Sequence, residues 1–337
     1  MTVLGPDLGV LAVVVARIGD TLLVTPALRA LKQSFGRLTV LAHPKRLEVL
    51  RNLSFIDDLG GISKNTAWLK ALISPRYGLA VCYGREPALF RYCIQTADRV
   101  IAFDYPELRG LSGKTVTRVP VPPESSMHAV DERSLLVEAA GVSVGDKRLA
   151  YVVTPDERTF AGQWLARHGR LGNDLLIGLH PFSFPTKSHR NWPLENFLEL
   201  AVRIVGQYPA SHILLMGDAG ARWPLAVLKE TLRERCTIAA GTLTLRQYAA
   251  LLERLSLYVG VDTGPTHIAG ALRVPMVALY HPAYPGRNLM PIGHPRCIAL
   301  EHSHSMATTG TGDLKGNEMK LITVDEVWNA VRRAMDA

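Results

Sequence analysis

This 337-residue chain has little cysteine, no long apolar run and no acidic excess. Its four cysteines form no C-x-x-C pair, which excludes a disulfide-stapled scaffold, and a reduced, cytoplasmic protein is expected. The apolar residues 8–16 are too few to span a bilayer and carry no basic segment before them. We interpret them as a core strand.

Motifs for several common chemistries are absent or stand in the wrong context. No G-x-G-x-x-G follows the first predicted strand, which argues against a Rossmann dehydrogenase. Residues 110–115, GLSGKT, have two residues between their glycines where a P-loop has four, and residues 141–145, GVSVG, follow a helix rather than the strand of a nucleophile elbow. His302 and His304 lie in a polar loop, where histidines are more often solvated, so we predict no metal and no cofactor.

Positive charge is in excess, with 38 Lys and Arg against 30 Asp and Glu and a net charge of +8. Such a balance favours an anionic partner: a phosphorylated metabolite, an acidic lipid surface or nucleic acid. Because zinc-finger, homeodomain and RNP patterns are missing, no nucleic-acid partner is predicted.

Apolar runs typical of strands alternate with helical patterns along most of the chain. Strands are predicted over residues 10–16, 38–42, 79–83 and 99–103 and, after a break near residue 170, over residues 175–179, 212–216 and 257–261. Residues 105–123, rich in proline, glycine and basic residues, are interpreted as a long loop or hairpin. This alternation predicts an α/β fold with two doubly wound parallel sheets.

We therefore expect an N-terminal domain over residues 1–155 and a C-terminal domain over residues 172–315. A final helix over residues 323–337 starts with a capping box at residues 323–326 and could pack back toward the N-terminal domain.

Residues 257–281, LYVGVDTGPTHIAGALRVPMVALYH, contain two strand-like runs around a short helix. Gly264 and Pro265 suit a tight helix start, Thr263 and Thr266 offer hydroxyls, and the free N–H groups of a first helical turn favour an anion. An ordinary strand-to-helix connection, capped by Asp262 or Thr263, is the alternative.

Three stretches occur in order across both halves: RIGDTL with TPALRALK within residues 17–32, HP with RNWPLENF and ELA within residues 180–201, and DTGPTHIAGAL over residues 262–272. Together they resemble glycosyltransferase family nine, the heptosyltransferases of lipopolysaccharide inner-core synthesis. The resemblance implies the GT-B fold, with two Rossmann-like domains facing a central cleft. It also implies inverting, metal-independent transfer of a heptose or similar sugar from a nucleotide diphosphate, such as ADP-heptose, to a lipopolysaccharide-core acceptor.

The resemblance also assigns roles to single residues. Asp20 would be the base for the acceptor hydroxyl, although a carboxylate there could instead cap the following helix. Lys187 or Arg190 would neutralise the donor diphosphate, and this chain has Arg190 where the family usually has lysine. Asp218 would reach the nucleotide ribose, with a plain surface turn as the alternative, and Asp262 would meet sugar hydroxyls.

The helix start is implied to face the diphosphate through Thr263, Gly264, Pro265 and Thr266. His267 could donate to phosphate or brace its own helix.

The implied partners are a nucleotide-diphosphate sugar and an anionic glycolipid at the cytoplasmic face of the inner membrane. Peripheral membrane contact is a hypothesis that rests on basic residues including Lys45, Arg46, Arg51, Arg109, Lys114 and Arg118. A nucleotide-sugar epimerase of related architecture and a non-catalytic nucleotide-sugar-binding subunit remain alternatives.

Overall fold

The computed structural model describes residues 9–113, 115–170, 175–302 and 318–336. By its internal contacts the chain divides into two compact units, Met1–Val152 and Val153–Ala337. Lys114, His304 and the expected domain limits at residues 172 and 315 lie outside the described residues.

The first unit is built on six parallel strands in the order β3-β2-β1-β4-β5-β6. The strands are β1 Val10–Val14, β2 Leu38–Ala42, β3 Asp58–Gly61, β4 Tyr77–Cys82, β5 Ala97–Phe103 and β6 Val116–Val119. The helices are α1 Ile18–Leu23, α2 Thr25–Phe35, α3 Leu47–Leu50, α4 Ala67–Ile73, α5 Pro87–Thr96 and α6 Ala129–Glu138.

Strand β1 shows why the first sheet is covered on both faces. Its five residues are all buried. Val10, Ala12 and Val14 belong to the apolar cluster under α2 and α6, whereas Leu11 and Val13 belong to the cluster under α5. A continuous apolar run is what a strand buried on both sides of a parallel sheet requires.

The second unit repeats this topology, with strands in the order β12-β11-β10-β7-β8-β9. The strands are β7 Leu175–His180, β8 Ser211–Leu215, β9 Cys236–Ile238, β10 Leu257–Val261, β11 Met276–Leu279 and β12 Cys297–Leu300. The helices are α7 Pro155–Arg167, α8 Leu194–Gln207, α9 Arg222–Leu232, α10 Leu245–Leu252, α11 Gly264–Ala271, α12 Gly286–Leu289 and α13 Val324–Asp336.

Each sheet has one point where the order of the strands reverses. In the first sheet the chain moves outward from β1 and then returns to β4 on the other side of β1; in the second it returns to β10 beside β7. Doubly wound sheets bind ligands beyond the carboxyl ends of the strands at such switch points. The connections after β1, β7 and β10 are therefore where a site is expected.

The long apolar strands are where the sequence predicted them, but the short edge strands were missed. Residues 116–119 form β6, which pairs in parallel with β5, so the interpretation of residues 105–123 as a loop or hairpin is wrong there. The run Val-Thr-Arg-Val is partly exposed and pairs with a neighbour on one side, and its apolar signal is therefore weak.

The final helix, α13, packs within the second unit. Val327, Ala330, Val331 and Ala334 join the core cluster beside α8 and strands β10 to β12. Its apolar side is thus covered by the second unit, where the sequence had left packing against the N-terminal domain open. None of the helices in the described part of the chain has both the length and the apolar character that a bilayer crossing requires.

Gly270 allows α11 to approach Pro291 closely. A Cβ added at Gly270 would lie 2.2 Å from the Pro291 Cγ and 2.8 Å from its Cβ. Gly270→Ala should therefore lower the free energy of unfolding by about 1–3 kcal/mol, the cost of overpacking, in denaturant titrations followed by circular dichroism.

Gly162 in α7 is the matched control, because no heavy atom lies within 4 Å of a Cβ added there. Gly162→Ala should raise stability by roughly 0.5–1 kcal/mol through its better helix propensity. Equal effects at the two positions would contradict the close packing at Gly270.

Candidate functional site

A buried ion pair joins the two connections at the switch point of the second sheet. Arg190 ends the 3₁₀ segment Pro185–Arg190 after β7, and Asp262 directly follows β10. Their atoms Nη1 and Oδ2 are 2.7 Å apart, and the side chains are 12% and 4% exposed. The pair is therefore largely shielded from solvent, and the carboxylate of Asp262 is compensated inside the protein.

Two further side chains complete this cluster. The ring of Tyr284 lies under the Arg190 guanidinium at 3.6 Å, and His267 Nε2 is 3.6 Å from Asp262 Oδ1. The same ring lies 5.2 Å from the Lys187 ammonium. In the part of the chain that the structure describes, Lys187 has no acidic partner. Of the two cations expected to meet the diphosphate, Arg190 is thus committed to Asp262, whereas Lys187 is not.

The start of α11 is organised by hydrogen bonds within the protein. Thr263 is the N-cap residue but makes no side-chain cap bond, so capping by Asp262 or Thr263 is not what sets the helix start. The Thr266 hydroxyl donates to the Val261 carbonyl at 2.6 Å and accepts from the Tyr258 hydroxyl at 3.0 Å. This hydroxyl is therefore used internally, and the polar groups open to an anion at this turn are backbone N–H groups.

Those backbone groups are few. The N–H groups of Thr266 and His267 both donate to the Thr263 carbonyl. Pro265 has no N–H, and no partner for the N–H of Gly264 is found among residues 175–302. The same holds for the N–H of Thr263, so Thr263 and Gly264 at the helix start carry the donors that this turn offers.

Asp218 and His180 stand at the same carboxyl edge. Asp218 is exposed and caps the short 3₁₀ turn Ala219–Ala221, since its Oδ1 accepts from the Ala221 N–H at 3.1 Å. His180, at the end of β7, is buried, and that burial lowers its pKa to about 4 even though the nearby Asp218 charge opposes that change. Its Nδ1 lies 2.9 Å from the Tyr248 hydroxyl.

Asp20 occupies the corresponding switch point of the first sheet. It lies in the first turn of α1, whose N-cap residue is Arg17, and the N-cap residue of α2 is Val24, so the alternative that Asp20 caps the following helix is wrong. Asp20 Oδ1 accepts from Arg133 Nη2 of α6 at 3.2 Å, and the side chain is 45% exposed. One carboxylate oxygen is thus oriented by a cation while the group remains accessible.

Two residues of these sites were not predicted from the sequence. Arg133 lies 113 positions from Asp20, and no local pattern on α6 marks it. Tyr284 could have been found from the sequence, because it follows β11 and turns after parallel strands meet at one sheet edge.

His302 Nε2 lies 3.4 Å from the Glu326 carboxylate, and the described residues contain no cluster of three metal-ligating side chains.

Burial of neutral His180 makes stability depend on pH. In the unfolded chain His180 would bind a proton below about pH 6.5, whereas the folded protein resists protonation down to about 4. The free energy of unfolding should therefore fall as pH drops from 6.5 toward 4, with His180 contributing on the order of 3 kcal/mol across that window.

Denaturant titrations at pH 7, 6 and 5 measure this dependence. Burial also lowers the pKa of His294 to about 4. We expect His180→Gln to flatten the pH dependence and the double variant with His294→Gln to flatten it further. An unchanged slope in the double variant would show that other groups carry it.

Comparisons with known sequences point to one family. A family model described as "Glycosyltransferase family 9 (heptosyltransferase)" matches residues 88–317. A curated relative, lipopolysaccharide core heptosyltransferase OpsX of Haemophilus influenzae, is 27% identical over 159 residues, which cover 46% of this chain and 43% of that protein. The aligned part therefore spans less than half the length of that relative.

Solved structures extend the likeness over almost the whole chain. The crystal structure of the glycosyl transferase family 9 protein from Veillonella parvula has a TM-score of 0.82 at 19% identity and covers 98% of this chain and 97% of its own. The E. coli ADP-heptose lps heptosyltransferase II has a TM-score of 0.75 at 17% identity, covering 97% and 98%. At such identities the likeness establishes the GT-B fold. The family model matches more than half of the length of this chain, and the chain therefore belongs to glycosyltransferase family 9.

Proposed function

We propose that this protein is an inverting glycosyltransferase that moves a heptose or a similar sugar from a nucleotide diphosphate to a lipopolysaccharide-core acceptor. ADP-heptose is the proposed donor, in line with the name of the structurally similar E. coli ADP-heptose lps heptosyltransferase II. The observation that carries the proposal is Asp20, an accessible carboxylate oriented by Arg133 at a switch point. Family membership supplies the reaction class.

Asp20 acts as general base in this proposal. Its oxygen that does not face Arg133 takes the proton of the acceptor hydroxyl as that hydroxyl oxygen bonds to the anomeric carbon of the donor. The bond from that carbon to the diphosphate oxygen breaks on the opposite face, so the configuration inverts. Arg133 holds the carboxylate in place, which fits a base that must be aligned before attack.

The second unit binds the donor in this proposal. Lys187 neutralises the diphosphate, because its ammonium is free of acidic partners among the described residues, and the Gly264 N–H adds a backbone donor. Arg190 instead holds Asp262, and His267 braces the same carboxylate. Asp262 is proposed to meet the sugar hydroxyls. Asp218 is proposed to reach the ribose from its exposed position after β8.

Thr263, Pro265 and Thr266 set the shape of the helix start that carries the Gly264 donor. Thr266 does so through its internal hydrogen bonds, and Pro265 through the fixed backbone angle of its ring.

We also propose that the protein works in the cytoplasm at the membrane face that holds its glycolipid acceptor. The net charge of +8 favours that anionic surface. Not every basic residue singled out from the sequence can serve as a membrane contact. The Arg118 guanidinium donates to the Leu108 and Leu111 carbonyls at 2.9 and 2.7 Å. Arg118 is therefore a structural residue, and Lys114 lies outside the described part of the chain.

Asp20→Asn should lower the rate of sugar transfer by at least about 100-fold, the usual contribution of a general base. Donor binding, measured by calorimetry with ADP, should stay within a factor of about two, because Asp20 belongs to the unit that does not bind the donor. Asp98→Asn is the control: Asp98 also pairs with an arginine, Arg76 at 2.7 Å, but at the start of β5 rather than beyond the carboxyl end of a strand.

Near wild-type transfer by Asp20→Asn would show that another group is the base. An epimerase would release an altered nucleotide sugar without any acceptor, and a binding subunit would bind donor without turnover. Either result with the wild-type protein would contradict the proposed function.

A donor screen by ligand-induced thermal shift measures donor preference, because a ligand that binds the native state raises the melting temperature. We expect ADP and its sugars to raise it more than UDP and GDP do.

Lys187→Ala should weaken ADP binding by roughly tenfold through loss of a charge-assisted contact while leaving the melting temperature of the free protein unchanged. Lys229→Ala, which removes a lysine that bonds to carbonyls at the far end of α9, is the control for ADP affinity. Unaltered ADP affinity in Lys187→Ala would remove Lys187 from the site.

A further inference from the structure

Helix α4 exposes its apolar side chains to solvent instead of burying them. Trp68 is 67% exposed, Leu69 53%, Leu72 74% and Ile73 82%, whereas the buried residue of the helix is Ala67. Positions four apart are neighbours on a helix surface, so the four large side chains form one continuous apolar stripe. A stripe of this kind on a folded protein marks a contact surface.

The chain segment that contains this stripe carries basic residues and no acidic ones. Residues 59–85 contain no Asp or Glu, and they include Lys64, Lys70, Arg76 and Arg85. Arg76 pairs with Asp98 at 2.7 Å, but neither Lys64 nor Lys70 has an acidic partner within the described ranges. Two uncompensated ammonium groups therefore flank the apolar stripe.

A cavity of about 430 Å³ lies beside the C-terminal end of α4. Ile73 and Lys70 of the helix contribute to its wall, together with Arg37, Arg76 and the carboxylate of Asp58. Arg37 pairs with Asp58 at 3.1 Å and Arg76 pairs with Asp98, so Lys70 is the cation of this wall that stays available to an anionic group such as a phospholipid phosphate.

We propose that α4 is a membrane-docking helix for an anionic phospholipid surface. At about 10 Å its seven residues are too short to cross a bilayer, so the helix lies in the interface with its apolar stripe turned toward the acyl chains. Trp68 takes the headgroup level that tryptophan prefers, and Lys64 and Lys70 bind lipid phosphates. This docking deepens the proposed function, since it brings the enzyme to a lipid-anchored acceptor.

The charge pattern favours a lipid surface over a second copy of this chain. A twofold contact places the same patch on both partners, which would bring like ammonium groups together. Four side chains also fall well short of the roughly 800 Å² per partner that a stable dimer buries.

Vesicle flotation tests the docking helix with a matched pair of variants. Trp68→Ser with Leu72→Ser removes a tryptophan and an aliphatic residue four positions apart on α4. Trp223→Ser with Val227→Ser removes the same kind of pair from α9, where the two side chains are 84% and 54% exposed. On vesicles of phosphatidylethanolamine and phosphatidylglycerol, the α4 variant should partition on the order of tenfold more weakly than the wild type, and the α9 variant should match the wild type.

The charge component has its own variant. Lys64→Gln with Lys70→Gln should weaken binding to the anionic vesicles by roughly fivefold for each charge and leave binding to neutral phosphatidylcholine vesicles unchanged. Because all six substituted side chains lie at the surface or border it, the melting temperatures should stay at the wild-type value, which excludes unfolding as the cause.

Three results would overturn the docking helix. The first is equal vesicle binding by the wild type and the α4 variant, and the second is no wild-type binding at low salt. The third is a wild-type dimer in light scattering that becomes a monomer in the α4 variant, which would assign the stripe to a protein contact.

Activity separates this inference from the proposed function. The α4 variant should keep transfer to a water-soluble core oligosaccharide without acyl chains and lose transfer to the same acceptor in vesicles. If the wild type transferred sugar to neither acceptor, the proposed function would fail, while flotation would still decide the role of α4.

Discussion

The candidate donor site depends on the buried ion pair between Arg190 and Asp262. It ties the connection after β7 to the connection after β10, two neighbouring strands at the switch point of the second sheet. Burying two charges is costly unless each compensates the other, so loss of either partner would leave an unpaired charge inside the protein. Tyr284, from the turn after β11, packs on the guanidinium and brings a third connection into the same arrangement.

This constraint divides the polar groups of the site into those that build it and those that remain for ligands. Arg190, His267 and the Thr266 hydroxyl are occupied within the protein. Lys187 and the Gly264 N–H have no such partner among the described residues, and Asp20 in the other unit is an accessible carboxylate that Arg133 contacts. A transferase needs such a division, because preorganised groups stabilise developing charge without reorganising during the reaction.

The burial of each strand decides how well its position could be predicted from the sequence. Strands such as β1 and β10 lie between two helical layers, so their residues are continuously apolar and their positions were predicted closely. Strand β6 sits at a sheet edge with Thr117 and Arg118 in it, and its pairing with β5 has no local signature. The motif residues were placed correctly beyond strand ends, since residues that follow parallel strands collect at one edge.

By itself, the sequence determined the α/β class, the doubly wound arrangement and the chain segments that form the candidate site. Only the tertiary structure decided which side chains are already paired: Arg190 meets Asp262 across 72 positions, and Arg133 meets Asp20 across 113. It also decided that the apolar face of α4 stays open to solvent. Periodicity shows that a face is apolar, but only the packing of distant segments shows whether anything covers it.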